Sequence, residues 1–172
     1  MQIKNADATI RQEAKKLSTS RASEIHREQV RALMRGAHEK SVFGDISFSD
    51  AKFDKAFDKT LEPAGQHLGL VVMLGDRVLG SCYCSLGGYF IGDGGRIVSV
   101  TTFNIDLGCA TGMLGGKVAL RLAKGIETSA QASAATHVLY YVTAGVEIAH
   151  ADRVFRKIGM KQIGGNYGVR LV

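Results

Sequence analysis

Two apolar runs separated by Gly75-Asp76 limit this chain more than any other feature. Residues 68–74 form one run and residues 77–86 the next. A Gly-Asp pair between two strand-like runs is the signal of a tight β-hairpin, so the fold has to contain an antiparallel sheet. Cys82 and Cys84 stand two apart on the second run. Alternation puts both on one face, where buried core is the default.

Helices surround that hairpin. Ser18, Thr19 and Ser20 offer N-caps, and Ala22, Ile25, Gln29, Val30, Leu33, Met34 and Ala37 follow at helical spacing. His26 and His38 are expected on the wet side of this helix. Arg21, Arg27, Arg31 and Arg35 line it as a solvated face or a nucleic-acid contact. Ser49 caps a second helix with the stripe Phe53, Ala56, Phe57 and Leu61, ended by Pro63 and Gly65. A short strand at residues 9–13 is expected to precede them.

A further strand covers residues 99–107 and extends towards Cys109. The glycine-rich loop Thr111-Gly112-Met113-Leu114-Gly115-Gly116-Lys117 comes next and opens a helix over residues 117–134. Residues 137–142 read as a buried strand and residues 149–157 as a helix ended by Gly159. Residues 161–163 and 167–172 read as a closing hairpin. The order is mixed α/β in one domain, residues 1–172, with no internal repeat.

Composition excludes several classes. With 45% hydrophobic and 22% charged residues the chain is globular. No run is long enough to span a bilayer, and no secretory signal is visible. Three cysteines make no disulfide scaffold, and no Cys/His cluster has zinc spacing, so no metal is expected. A reducing, cytoplasmic compartment fits this usage. Gly accounts for 21 of 172 residues and Pro for one, which points to sharp turns and close backbone approaches. The formal charge of +6 fits either an anionic partner or plain solubility charge.

A strand, a glycine loop and a helix N-terminus together can hold phosphate; the alternative is a simple tight turn. Orphan N–H groups and the helix dipole both favour an anion. Gly115 and Gly116 allow close approach, and Lys117 adds a full charge. The loop is neither G-x-x-x-x-G-K-[ST] nor G-x-G-x-x-G.

On these residues the chain resembles the GNAT (GCN5-related N-acetyltransferase) superfamily over most of its length. The stretch Ala151-Asp152-Arg153-Val154-Phe155-Arg156-Lys157-Ile158-Gly159-Met160 is similar to that family's closing helix, and the glycine loop with its helix is the second likeness. Residues 44–48, 88–90 and 143–146 look like a subgroup found in phages and prophages. The resemblance implies an α/β (α+β) fold with about four helices and a mixed sheet splayed between its fourth strand, near residues 99–109, and its fifth. It also implies acetyl-CoA as co-substrate. Backbone groups near Leu107 and Cys109 would pair with the pantetheine arm, and Leu114, Gly115, Gly116, Lys117 and Val118 would receive the pyrophosphate. The implied activity is acyl transfer to a primary amine of a small molecule or protein.

The family's loop Arg/Gln is absent, and the closing-helix Tyr is Phe155. Asp106 and Glu147 are the candidate bases, and Tyr167 and Tyr141 the candidate proton donors. Cys109 lies near the expected thioester, with no His nearby in sequence, so a structural role is the default. His150 reads as a surface residue. The rival reading is a GNAT-fold protein that has lost catalysis and serves as a binding or virion-associated component. No membrane partner is expected, and a homodimer is compatible with the sequence. A nucleic-acid role driven by charge is the third reading; it lacks a basic motif interleaved with aromatics.

Overall fold

The computed structural model describes residues 16–63, 65–110, 112–141 and 148–164. The expected strand at residues 9–13, Thr111, Glu147, Tyr167, residues 143–146 and the second half of the closing hairpin lie outside them. Among the described residues, Lys161 to Gly164 are irregular.

The chain runs β1 (Leu17–Arg21), a 3-10 turn (Glu24–His26), α1 (Arg27–Glu39) and α2 (Asp50–Leu61), then β2 (His67–Leu74), β3 (Arg77–Gly88) and β4 (Arg96–Ile105). It continues with α3 (Met113–Ala132), β5 (His137–Tyr140) and α4 (Ile148–Lys157). The five strands form one sheet in sequential order. The first three pairings are antiparallel, and β4 pairs with β5 in parallel. The α3 crossover makes that parallel pairing accessible. The expected hairpin is present, with Gly75 in the left-handed region at φ 59°.

Ser18, Thr19 and Ser20 do not cap a helix. They form edge strand β1, with Thr19 opposite Val72. Ser and Thr suit an exposed strand edge as well as a cap, and pairing with β2 decides between the two here. The first helix therefore starts at Arg27, after the 3-10 turn, in which His26 Nδ1 accepts the Ser23 N–H at 3.0 Å. His26 is buried, not on a wet face. Ser49 does cap α2, its hydroxyl accepting the Lys52 N–H.

The sheet separates two apolar layers. On one face Leu70, Val72, Cys82, Cys84, Val98 and Val100 pack against Val118, Leu122 and Ile126 of α3. On the other, Ala22, Val71 and Val78 meet Val30 of α1 and Phe53 and Phe57 of α2. Cys82 and Cys84 share the first face as alternation requires, and the hydrogen bond to the Cys82 sulfur, with burial, pushes the Cys84 thiol up.

The arginine run is not a solvated face. Arg27, Arg31 and Arg35 lie over the rings of Phe57, Phe53 and Phe48, at 4.7, 5.1 and 4.7 Å from their centroids. Arg27 reaches Asp54 at 3.0 Å and Asp58 at 2.6 Å. Arg31 reaches Asp54 at 2.6 Å, and Arg35 reaches Asp50 at 2.6 Å. Hydrogen bonds to Glu24 and Asp58 hold the Arg27 guanidinium above its ordinary pKa. The four-residue spacing on α1 matches that on α2, so each guanidinium bridges a ring and a carboxylate. These three guanidiniums are already paired within the fold and do not form a free basic face. Arg31→Ala is expected to cost about 1–2 kcal/mol through lost ring contact and stem packing. Urea unfolding should show this as a lower midpoint with an unchanged slope.

Candidate functional site

β4 outruns its parallel partner. Ile97 to Val100 pair with His137 to Tyr140, and the Tyr141 N–H donates to the Val100 carbonyl at 3.1 Å. Beyond that point β4 continues through residues 101–105 with no β5 partner among the described residues. A register shift at Tyr83/Cys84, where Tyr83 faces Thr102 and Cys84 faces Val100, leaves Thr101 as an extra residue in β4. Such a bulge re-aims the strand just where its parallel pairing ends.

A closed loop links β4 to α3. Asp106 donates its N–H to Leu79 and accepts the Gly108 N–H through Oδ1 at 2.8 Å. Its Oδ2 takes Arg77 at 2.7 Å. This ion pair raises the Arg77 pKa. Both Asp106 oxygens are thus engaged in holding the loop. The Cys109 N–H goes to the Asp106 carbonyl, and the Cys109 carbonyl accepts the Gly112 N–H. Burial, with Asp106 adding to it, pushes the Cys109 thiol up. A thiol held protonated is a poor nucleophile, which agrees with the structural reading. The Leu107 side chain is exposed.

α3 starts at Met113, earlier than the expected Lys117, so Gly115 and Gly116 lie inside its first turn. Its N-cap is Gly112, which has no side chain to satisfy the first N–H groups. The Gly116 N–H closes the first helical bond onto the Gly112 carbonyl at 3.2 Å. Helix geometry therefore leaves the N–H groups of Met113, Leu114 and Gly115 without intrahelical acceptors.

The two glycines differ in what surrounds them. A Cβ on Gly115 would collide with the Cys109 carbonyl and lie 2.5 Å from that of Ala110. A Cβ on Gly116 would meet nothing within 4 Å. Gly115 lets the loop close on the helix, whereas Gly116 leaves open space in the first turn of α3. Val118 is fully buried in the core, so its part in the expected loop is packing. Leu114 packs on the same core, and Lys117 is half-buried.

An aromatic cluster adjoins the same core, at Phe103 of β4 and Tyr140 of β5. Phe155 of α4 stands 5.5 Å from Phe103 and 5.2 Å from Tyr140, ring to ring. The Tyr140 hydroxyl is buried without a hydrogen-bond partner, and burial pushes its pKa up, so it stays protonated. Tyr141 is a candidate proton donor on a strand that reads as buried. It is Tyr140 that points inward, and Tyr141 is exposed. The two stand side by side in one apolar run, whose pattern does not order them. Among the described residues, no group of three His, Cys, Asp or Glu is placed to hold a metal ion. No helix there is long and apolar enough to cross a membrane.

No protein-family model matches the chain, and no curated protein matches it in sequence. Solved structures do match. A transcriptional regulator from Bacillus halodurans C-125 superposes with a TM-score of 0.69 at 14% identity, over 90% of this chain and 99% of the other. The aminoglycoside acetyltransferase AAC(6')-Iy, in complex with the bisubstrate analogue CoA-S-monomethyl-acetylneamine, gives 0.68 at 13% identity, over 90% and 97%. A ribosomal-protein-alanine N-acetyltransferase from Brucella melitensis biovar Abortus 2308 gives 0.66 at 10% identity, over 91% and 99%. The chain shares the fold of these acetyltransferases.

Proposed function

We propose that this chain is an acyl-CoA-dependent N-acyltransferase whose acceptor is a primary amine. One observation carries the reading most strongly. In a fold shared with acetyltransferases, the helix after β4 begins with a glycine cap that offers its first N–H groups no side chain, and with open space at Gly116. These features fit a diphosphate, which needs close backbone donors and the positive end of a dipole. Met113, Leu114, Gly115 and Gly116 would hold it, with Lys117 adding charge. Residues 101–105 of β4 offer the strand edge for the extended arm. Leu107 stands beside that path, whereas the Cys109 backbone is already spent within the loop.

When bound, an acyl-CoA supplies the thioester carbon that the acceptor amine attacks. The chain's own contribution is chiefly positioning. The β4 bulge sets the strand edge, and the Arg77–Asp106 pair fixes the loop that leads to the anion cradle. In this reading Asp106 holds the loop and does not act as the base. Glu147 is proposed as the base and Tyr167 as the proton donor, acting at the amine and the departing sulfur. Phe155 has no hydroxyl, and its ring is committed to the aromatic cluster. That observation favours one second reading, a protein that binds the cofactor without turning it over. The phage-type subgroup and a virion-associated role belong with this second reading.

Calorimetric titration with acetyl-CoA tests the proposal. Saturable heat with a Kd in or below the range of about 10⁻⁴ M is expected. No heat and no thermal shift at millimolar acetyl-CoA would overturn it. Binding without release of CoA thiol across a panel of primary amines would establish the second reading.

A further inference from the structure

An apolar cavity of about 190 Å³ lies on the face of the sheet opposite α3. Val30 and Met34 of α1 and Phe53, Ala56 and Phe57 of α2 form its roof, and Val71 of β2 belongs to its floor. Two lining residues, Thr101 and Thr102, come from β4. Thr101 is the one lining residue that is exposed, so the cavity opens at that strand. Thr101 is also the bulge residue, and the first of β4 beyond the four residues paired with β5. The mouth therefore stands at one end of the free strand edge, residues 101–105. The cradle at the start of α3 follows the other end.

The roof cannot easily settle into this space. Arg27 and Arg31 pin the Phe57 and Phe53 rings from outside while bridging α1 to Asp54. Val71 closes the floor with no exposure at all. Gly69, also in the lining, has no room for a side chain, because a Cβ there would lie 3.0 Å from Ala22 and Thr60. The space is thus a permanent, blind-ended part of the packing.

The hydroxyls around it do not serve it. Thr60 donates to the Phe57 carbonyl at 2.7 Å, Thr102 accepts the Tyr83 N–H at 3.1 Å, and the Tyr83 hydroxyl bonds His67 at 2.8 Å. The Ser81 oxygen is itself enclosed. The wall is therefore apolar throughout, and no carboxylate is among its residues. Such a wall rejects a hydroxyl or an ammonium, because either would lose its water without a partner. It accepts methylenes. An apolar cavity of roughly 150 Å³ is known to hold the six carbons of benzene.

We propose that this cavity receives the hydrocarbon tail of an acyl-CoA whose acyl chain is longer than acetyl, of about six carbons. The inference rests on the acyl-CoA reading above and adds the class of acyl group. With the diphosphate at α3, the extended arm runs back along residues 105 to 101. Its thioester then reaches the bulge, where the mouth is. A linear chain continues inward under α1 and α2, carrying no polar atom past Thr101. An apolar amine offers the same methylenes, but nothing on the wall directs its ammonium, whereas the strand edge directs a thioester.

Calorimetric titration of the whole protein with acetyl-, butyryl-, hexanoyl- and decanoyl-CoA, without acceptor, tests this. Each buried methylene is worth about fourfold in affinity, less the cost of ordering the chain. Hexanoyl-CoA should therefore bind at least about tenfold more tightly than acetyl-CoA, and decanoyl-CoA should gain nothing further. The methyl NMR signals of Val30, Met34 and Val71 should shift with hexanoyl-CoA and stay in place with acetyl-CoA. Ala56→Leu should bring hexanoyl-CoA to the affinity of acetyl-CoA while leaving the latter unchanged. Binding of acetyl-CoA with no gain on lengthening overturns the proposal and leaves the acyl-CoA reading standing. Absence of binding by every thioester overturns both. Tighter binding without the methyl shifts overturns the location, and this readout decides should Ala56→Leu not fold. Methyl shifts produced by hexylamine and not by hexanoyl-CoA would assign the cavity to the acceptor and also overturn the proposal.

Discussion

Gly116→Asp is expected to reduce acetyl-CoA affinity at least about 100-fold while leaving the fold standing. The new carboxylate would stand in the first turn beside the N–H groups of Met113, Leu114 and Gly115, competing with a diphosphate and repelling it. The side chain has room, because a Cβ at this position meets nothing within 4 Å. An acidic residue in the first turn of a helix is itself mildly favourable, so the melting temperature should stay within about 3 °C. Gly115→Ala is the contrasting variant. Its Cβ would run into the Cys109 and Ala110 carbonyls. Relief requires the loop to shift, at a cost of about 1–3 kcal/mol. Calorimetry and thermal melts on the pair separate binding from folding. Unchanged affinity in Gly116→Asp would place the diphosphate elsewhere.

Leu122→Ala is expected to destabilise the chain by about 2–5 kcal/mol. Leu122 is fully buried at the centre of the layer between α3 and the sheet. The opposing surface is Gly80 of β3, where a Cβ would lie 2.5 Å from Val118 Cγ1 and 3.0 Å from Leu122 Cδ1. Helix and sheet touch here because one of them has no side chain. Gly80→Ala is therefore an overpacking change worth about 1–3 kcal/mol. Combined with Val118→Ala it should cost less than the two single changes summed, since the new methyl enters the space vacated. Denaturant midpoints for the two singles and the double measure that coupling. Strict additivity would show that the contact relaxes without cost.

Elements with strong local punctuation were legible in the sequence. Ser49 and Pro63 bracket α2, and Gly75-Asp76 fixes the β2–β3 hairpin. Elements decided by tertiary contact were not. Ser18 to Ser20 suit a cap and an edge strand equally, and only pairing with β2 chooses. The start of α3 reads late because two glycines are poor helix formers. Their reason is steric at Gly115 and spatial at Gly116, and neither shows in a propensity. The arginine run looked solvated because its aspartates lie on another helix. The matching four-residue spacing of Asp50, Asp54 and Asp58 was the available clue. Of the candidate site, the glycine turn was readable. The engagement of both Asp106 oxygens and the inward turn of Tyr140 depend on partners distant in sequence.

The equal pitch of the rungs between α1 and α2 has a mechanical consequence. Arg27, Arg31 and Arg35 repeat every four residues, as do Asp50, Asp54 and Asp58. Sliding one helix by a single turn would bring two of the three arginines back opposite an aspartate. The ladder holds the helices together but does little to choose their register. What fixes α1 along the sheet is Gln29, whose amide accepts the Val78 N–H at 2.8 Å and donates to the Asp76 carbonyl at 2.9 Å. One side chain at the hairpin tip thus serves as the detent of an otherwise periodic track.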